Sequence, residues 1–143
     1  GQRFSERYRS HVLSDRQQLF DSGPATLALS AVSLFTPERE LDALEAIQHA
    51  RYVNGEDITQ ADTLMAVLQA LGLEQAAASL LRSDGELLAA NRSRIEGAKA
   101  LQSQLGARGV PSFILETNGQ RQLLNSSAAY SNPQAFAEQL SAA

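Results

Sequence analysis

Residues 106–114 read Gly-Ala-Arg-Gly-Val-Pro-Ser-Phe-Ile, and this stretch decides the fold because the pattern of the sequence changes within it. Before it, apolar residues recur at helical spacing as far as Leu105, whereas residues 113–115 form a short β-type run. A proline can begin a strand without breaking the hydrogen-bonded ladder, so Pro111 fits the start of a strand. The stretch is therefore predicted to lead from a long helix into a sheet.

The segment that follows is predicted to be a β-hairpin and then a helix. Asn118-Gly119 is a strong signal for a two-residue hairpin turn, and residues 122–124 begin a second strand. Asn132-Pro133 is typical of a helix start, with Phe136 and Leu140 facing inward. Because two strands alone are marginal in water, and a continuous apolar run suits a strand covered on both faces, we expect the hairpin to need further strands.

Six helices are predicted before this stretch. Ser22 with Pro24, and Thr36 with Pro37, indicate helix starts, and residues 83–86 (Ser-Asp-Gly-Glu) indicate a capping box that opens the long helix. The expected core positions are Leu41, Leu44 and Ile47 on the third helix, and Leu88, Ile95, Ala98, Leu101 and Leu105 on the long one. No linker, repeat or low-complexity segment divides this order.

Composition excludes several classes of partner. The chain has 143 residues, 43% of them hydrophobic, and a net charge of −4 with a single lysine, Lys99, so nucleic acid is not an expected partner. The longest uncharged apolar segment, residues 25–35, is shorter than the roughly 20 residues of a membrane span, so no membrane partner is expected. The scattered arginines are interpreted as a solvated face: Arg7, Arg9, Arg16 and Arg51.

The sequence contains no cysteine, which excludes disulfides, thiolate nucleophiles and thiolate metal sites within it. With only His11 and His49, a zinc or iron site would need several carboxylates as well. No Gly-X-Ser-X-Gly motif supports a serine hydrolase. We therefore assign no catalytic residue, no metal ligand and no cofactor.

The long helix, the Gly109-Val110-Pro111 turn, the hairpin and the closing helix together resemble the C-terminal half of a thioredoxin fold, and the earlier helices resemble the helical insertion of DsbA-family proteins. Residues 19–25 (Leu-Phe-Asp-Ser-Gly-Pro-Ala) and 47–58 (Ile-Gln-His-Ala-Arg-Tyr-Val-Asn-Gly-Glu-Asp-Ile) are similar to the FrnE-like branch. The resemblance implies an α/β, thioredoxin-like (DsbA-type) fold, here mostly helical plus a hairpin. It implies a helical insertion domain over residues 1–82 and the C-terminal half of the thioredoxin-like domain over residues 83–143.

The same resemblance implies a thiol–disulfide oxidoreductase or protein-disulfide isomerase whose partners are protein or peptide disulfides. In the family the proline is cis and the backbone of the preceding residue pairs with an extended peptide, which implies a substrate-binding loop at Gly109, Val110 and Pro111. Asp21 and Ser22 fall at a position that lines the substrate groove, or they serve only as a helix cap. The FrnE-like resemblance also implies a cytoplasmic location.

The sequence departs from the family because the strand, the Cys-X-X-Cys helix and the second strand with which members begin are not found in it. We expect that these residues come from a longer protein and that alone they lack dithiol activity. The alternative is a half-domain that borrows strands from a second copy, as in a homodimer. Two other functions stay open: a glutathione-dependent kappa-like isomerase or transferase, and a non-catalytic helical interaction module.

Overall fold

Seven α-helices and one β-hairpin make up the part of the chain that the computed structural model describes, residues 4–16 and 20–141. The helices are α1 (Gly23–Phe35), α2 (Glu40–His49), α3 (Ala61–Ala70), α4 (Glu74–Arg82), α5 (Gly85–Leu105), α6 (Ala128–Ser131) and α7 (Pro133–Ser141). Strands β1 (Phe113–Thr117) and β2 (Gln120–Leu124) lie between α5 and α6 in the chain. Short π-helical segments cover Tyr8–Leu13 and Ala50–Asn54, and a 3-10 turn covers Pro37–Arg39.

The chain divides into two compact units, Gly1–Arg94 and Ile95–Ala143, and the division falls within α5. The domain boundary expected between residues 82 and 83 lies before that helix and stays a prediction. Among the residues that the structure describes, no helix is long and apolar enough to cross a membrane.

Small and aliphatic side chains build the core of the first unit. Helix α1 packs against α4 and α2 through a face of small residues, of which Ala28 and Ala31 are fully buried. Leu64 and Leu68, one turn apart on α3, are also fully buried, and Ile47 of α2 joins the same cluster. The core therefore lies between the first four α-helices, as an amphipathic helical pattern requires.

The residues before α1 pack on the turn that follows α2. Tyr8 is buried and lies against Tyr52, with 5.1 Å between the ring centroids, and the Ser5 hydroxyl donates a hydrogen bond to the Tyr52 carbonyl over 2.9 Å. Gly55 ends this turn with φ of 71°, and a Cβ at this position would lie 2.6 Å from the carbonyl oxygen of Arg7. Position 55 therefore needs glycine both for its backbone conformation and for space.

Asp84, rather than Ser83, caps the long helix. The Asp84 carboxylate accepts a hydrogen bond from the Leu87 N–H over 3.0 Å, whereas Ser83 has φ of 45° and follows the last residue of α4. The capping box predicted on Ser83 is therefore wrong by one residue, because that serine ends one helix instead of starting the next. The start predicted at Asn132-Pro133 is confirmed, since Asn132 accepts the Ala135 N–H over 3.1 Å.

The predicted core positions are wrong in part on two helices. On α2 the predicted Ile47 is buried, but Leu41 is 77% exposed and the buried residue beside Ile47 is Ala43. At about 100° per residue, Leu41 lies roughly 120° from Ile47 around the helix, whereas Ala43 lies only about 40° away. On α5 the buried residue is Leu87, next to the predicted Leu88, which is 48% exposed.

The hairpin of the second unit has the turn that its sequence predicts. Asn118 and Gly119 have φ of 52° and 76°, the left-handed values that a two-residue hairpin turn requires, and Phe113 pairs with Leu124 across the antiparallel strands. The Phe113 ring packs edge-on against Phe136 of α7, with 5.1 Å between centroids. In residues 4–16 and 20–141 the sheet has two strands, so the further strands expected from the sequence are not among those residues.

Candidate functional site

The loop between α5 and β1 contains the cis proline that the family resemblance implied. Gly106 ends α5 with φ of 67°, and the Val110–Pro111 peptide bond is cis, as the family resemblance implied. The Ser112 hydroxyl donates a hydrogen bond to the Gly109 carbonyl over 2.5 Å, which closes the loop on itself just before β1 begins. Val110 is left at the tip of this loop and is 85% exposed.

The backbone of Val110 is available for a partner. Its N–H and C=O form no hydrogen bond with the residues in the ranges 4–16 and 20–141. A cleft of about 490 Å³ lies beside the loop. It is lined by residues 107–112, by Leu123, Leu124, Ser126 and Ser127, and by Tyr130. Gly109, Val110 and Pro111 therefore share one cleft in the second unit.

Asp21 and Ser22 belong to a different cleft, within the first unit. The Asp21 carboxylate accepts a hydrogen bond from the Gly23 N–H over 2.8 Å at the start of α1. The Ser22 side chain caps no N–H group of α1, so the capping role predicted for this hydroxyl is wrong. Both residues are exposed, and both line a cleft of about 160 Å³. We call it the Arg51 cleft, and it is lined by Phe20, Asp21, Ser22, Arg51, Tyr52 and Ile58.

Arg51 is the functional candidate that the sequence did not reveal. It was interpreted as part of a solvated face, but its side chain is only 5% exposed. The Phe20 ring covers the guanidinium, with 5.1 Å from Cζ to the ring centroid. Nη1 of Arg51 is buried and has no hydrogen-bond partner in the described part of the chain. A buried cation with an unused donor is the strongest signal of a ligand site in this unit.

Asp57 lies close enough to Arg51 for the charge of Arg51 to affect its pKa, although its hydrogen bonds come from Thr59 and Gln60. Burial opposes its ionisation, but hydrogen bonds from the Thr59 hydroxyl, the Thr59 N–H and the Gln60 amide outweigh it, and the charge of Arg51 adds to them. Together they lower the pKa of Asp57 below its usual value of 3.8. Near neutral pH its carboxylate is therefore ionised, and it already accepts hydrogen bonds from Thr59 and Gln60.

A third cleft, of about 670 Å³, is lined by residues of α2 and α3 and of the turn that follows α2. Four of its polar side chains pair with each other: Arg39 pairs with Asp42 over 2.5 Å, and the Asn54 amide donates to Glu56 over 2.9 Å. None of the site residues predicted from the sequence lines it. We therefore assign it no function.

The described residues bring together no group of three or more His, Asp or Glu side chains that could hold a metal ion. The sequence has no cysteine anywhere in its 143 residues. The loop cleft offers backbone groups to a ligand, and the Arg51 cleft offers one cation and one carboxylate.

Comparison with known proteins gives this geometry a family context. Residues 6–140 match the family model of the DSBA-like thioredoxin domain. The structure is similar to that of the cytosolic disulfide reductase DsbM from Pseudomonas aeruginosa, with 33% identity and a TM-score of 0.85 over 100% of this chain and 70% of that one. A structure of that reductase with GSH gives 28% identity and a TM-score of 0.80 over the same shares.

A more distant structure is that of a candidate protein disulfide isomerase from Nitrosomonas europaea, with 24% identity. It has a TM-score of 0.65 over 85% of this chain and 60% of that one, and it supports the fold alone. No curated protein matched the sequence.

Proposed function

Because the chain belongs to the DsbA-like thioredoxin domain family of thiol–disulfide oxidoreductases, we propose that these residues form the substrate-binding side of such a protein. Gly109, Val110 and Pro111 dock a peptide or protein disulfide, and Asp21 and Ser22 form a separate substrate-binding site within the first unit. We also propose a cytoplasmic location, which the similarity to a reductase named as cytosolic supports.

The observation that carries the proposal is the backbone of Val110 at the approach to β1, which forms no hydrogen bond with the described residues. An extended peptide binds by adding a strand, and for this it needs main-chain N–H and C=O groups that are not already paired. Val110 offers both groups at an 85% exposed position. The cleft beside it, with Leu124 and Tyr130 in its lining, gives room for side chains of the bound peptide.

Disulfide exchange requires a thiolate that attacks one sulfur of the bound disulfide, while the other sulfur leaves as a thiolate. Since the sequence has no cysteine, the attacking thiolate must come from outside these 143 residues. Glutathione is the small thiol that we propose as a second partner, because a similar reductase has been solved with GSH. A glutathione thiolate would form the new S–S bond with the substrate and release the second sulfur of the substrate.

The proposal is tested by titrating the ¹⁵N-labelled chain with a short valine-rich peptide that carries one cysteine as its S-methyl mixed disulfide. We expect amide shifts at Gly109, Val110, Ser112 and Phe113. The matched control is the same peptide with N-methyl groups on its backbone, which keeps the side chains but cannot add a strand. Equal shifts with both peptides, or shifts only at other residues, would contradict a backbone-mediated docking loop.

A further inference from the structure

The Arg51 cleft contains a buried guanidinium group that lacks a hydrogen-bond partner for one of its nitrogens. An arginine side chain stays protonated in proteins, so its burial costs free energy unless the guanidinium is paired and hydrogen-bonded. Arg51 is 5% exposed, and its Nη1 has no partner among the described residues. The carboxylate of Asp57 is held by Thr59 and Gln60. A ligand that brings an acceptor oxygen would complete this site.

The shape of the guanidinium selects the kind of acceptor. Its planar fork of donors matches the two oxygens of a carboxylate. The Ser22 hydroxyl, which caps no N–H group, offers another donor at the edge of the same cleft. The cleft also lies at the start of the 13-residue helix α1, where the helix dipole favours a negative group. Three independent features therefore favour an anion.

The carboxylate of Asp21 restricts which anion can bind. It lines the same cleft and is exposed, with the Gly23 N–H as its hydrogen-bond donor. A second negative charge nearby disfavours a dianion such as phosphate, because like charges repel strongly in a partly desolvated site. Asp21 suits instead a ligand that carries an ammonium group next to its carboxylate. One cation and one anion in the lining match a zwitterion.

We propose that the Arg51 cleft binds the zwitterionic α-amino carboxylate end of a small thiol compound, the γ-glutamyl end of glutathione. Arg51 and Ser22 bind the carboxylate and Asp21 binds the ammonium group. This inference rests on glutathione as the proposed second partner. At about 160 Å³ the cleft is smaller than the roughly 300–1,000 Å³ of a complete ligand pocket, so it takes one end of the compound. Phe20, Tyr52 and Ile58 provide apolar walls for the methylene groups.

The probe is S-methylglutathione, which keeps the γ-glutamyl end but has no thiol. Titrated into the ¹⁵N-labelled chain at millimolar concentrations, it should give saturable shifts at Asp21, Ser22, Arg51 and Ile58. Arg51→Gln should weaken the affinity at least about tenfold, since it removes charge-assisted hydrogen bonds. Arg39→Gln, which changes an arginine of another cleft, should leave the affinity unchanged.

A second pair of measurements tests the ammonium contact. Blocking the amine, as in N-acetyl-S-methylglutathione, should weaken binding to the unaltered chain but have little further effect in Asp21→Asn, which can still accept the Gly23 N–H. Thermal unfolding shows whether Arg51→Gln is folded, and Arg51→Lys keeps the charge without the planar fork and should be intermediate. Equal affinities for the unaltered chain and Arg51→Gln would overturn the proposal.

The residues whose amide signals shift distinguish binding in the Arg51 cleft from binding at the Val110 loop. Saturable shifts confined to residues 109–112 would leave glutathione as a partner but overturn the Arg51 subsite. L-glutamate is titrated separately as the free amino acid. If it shifts the amide signal of Arg51 while S-methylglutathione does not, the cleft binds a zwitterion but glutathione is not the partner. If neither compound shifts the cleft residues, the subsite is refuted, whatever the disulfide peptide does at Val110.

Discussion

Gly55 combines two constraints that can be separated by mutation. Its φ is 71°, and a Cβ would lie 2.6 Å from the Arg7 carbonyl oxygen. Gly72 has nearly the same φ, 72°, but nothing lies within 4 Å of its Cβ position. We expect Gly72→Ala to lower the free energy of unfolding by about 1–2 kcal/mol, the cost of a left-handed alanine, and Gly55→Ala to lower it by clearly more. Urea unfolding of both variants measures the difference, and equal losses would show that the Arg7 contact does not matter.

Asp57 gives the stability a dependence on pH. Because the folded state lowers its pKa below 3.8, ionised Asp57 stabilises the fold above that pH, and the contribution is lost as the pH falls through the folded-state pKa. Asp57→Asn should therefore destabilise the chain near neutral pH and less so at acid pH. Unfolding free energies measured from about pH 6 to about pH 3 test this, with the exposed Glu45→Gln as control. A constant gap between Asp57→Asn and the unaltered chain would contradict it.

The sequence predicts residues that a local motif marks, but it does not predict the burial of a single charged side chain. A local motif marks Pro111 and its neighbours as a predicted substrate-binding loop, and the cis bond is found where the resemblance implied. Arg51 was missed because its burial depends on Phe20, far away in the sequence, folding over it. A local pattern shows that a residue is charged, but it does not show whether solvent reaches it.

At the scale of elements, the start of α5 offers a test of capping. Asp84→Ala removes the acceptor for the Leu87 N–H and should lower the free energy of unfolding by about 0.5–2 kcal/mol. Asp84→Asn keeps an acceptor oxygen and should retain most of that stability. Ser83→Ala is the control, because Ser83 was the cap expected from the sequence. A larger loss in Ser83→Ala than in Asp84→Ala, measured by thermal unfolding, would mean that the capping residue is misassigned.

Elements with strong local signals were predicted well. The Asn118-Gly119 turn fixed the hairpin, and α4 covers the residues 74–82 that the sequence indicated. The short helix α6 was not predicted, because four residues carry too little periodicity. The two π-helical segments lie in stretches that the sequence predicts as helices, but their π form was not predicted. On α2 the sequence assigns Leu41 rather than Ala43 to the core because leucine is the more hydrophobic residue, whereas the close packing of helices favours the small alanine.

At the scale of the whole molecule, the 143 residues are expected to bind disulfides without exchanging them. Disulfide reduction and isomerisation need a thiolate, and the sequence contains no cysteine. Insulin reduction and the refolding of scrambled ribonuclease should therefore proceed at the rate of the buffer in the presence of the purified chain. Added glutathione serves as the control that the assay itself responds to a thiol. Turnover by the chain alone above the rate of the buffer would reveal chemistry that these residues do not explain.

We predict that the second unit also makes the whole chain prone to self-association. Leu123 and Tyr130 are 40% and 73% exposed there, and β1 pairs on one side with β2, while no strand in the described ranges covers its other edge. Burial of a large apolar side chain stabilises by roughly 1.5–3 kcal/mol, so pairing between copies is favourable. Sedimentation velocity should show a concentration-dependent dimer or larger species.

The variants Leu123→Lys and Gln122→Lys separate this explanation from a general effect of charge. The two residues are adjacent on β2 and point to opposite faces of the hairpin, and both are exposed. Leu123→Lys should shift the chain toward monomer because it places a charge beside Ile114, its apolar partner on β1, whereas Gln122→Lys adds the same charge on the opposite face and should leave the association unchanged. A chain that stays monomeric at every concentration, unfolds in one sharp transition and binds no hydrophobic dye would show that Ile114 and Leu123 are already covered.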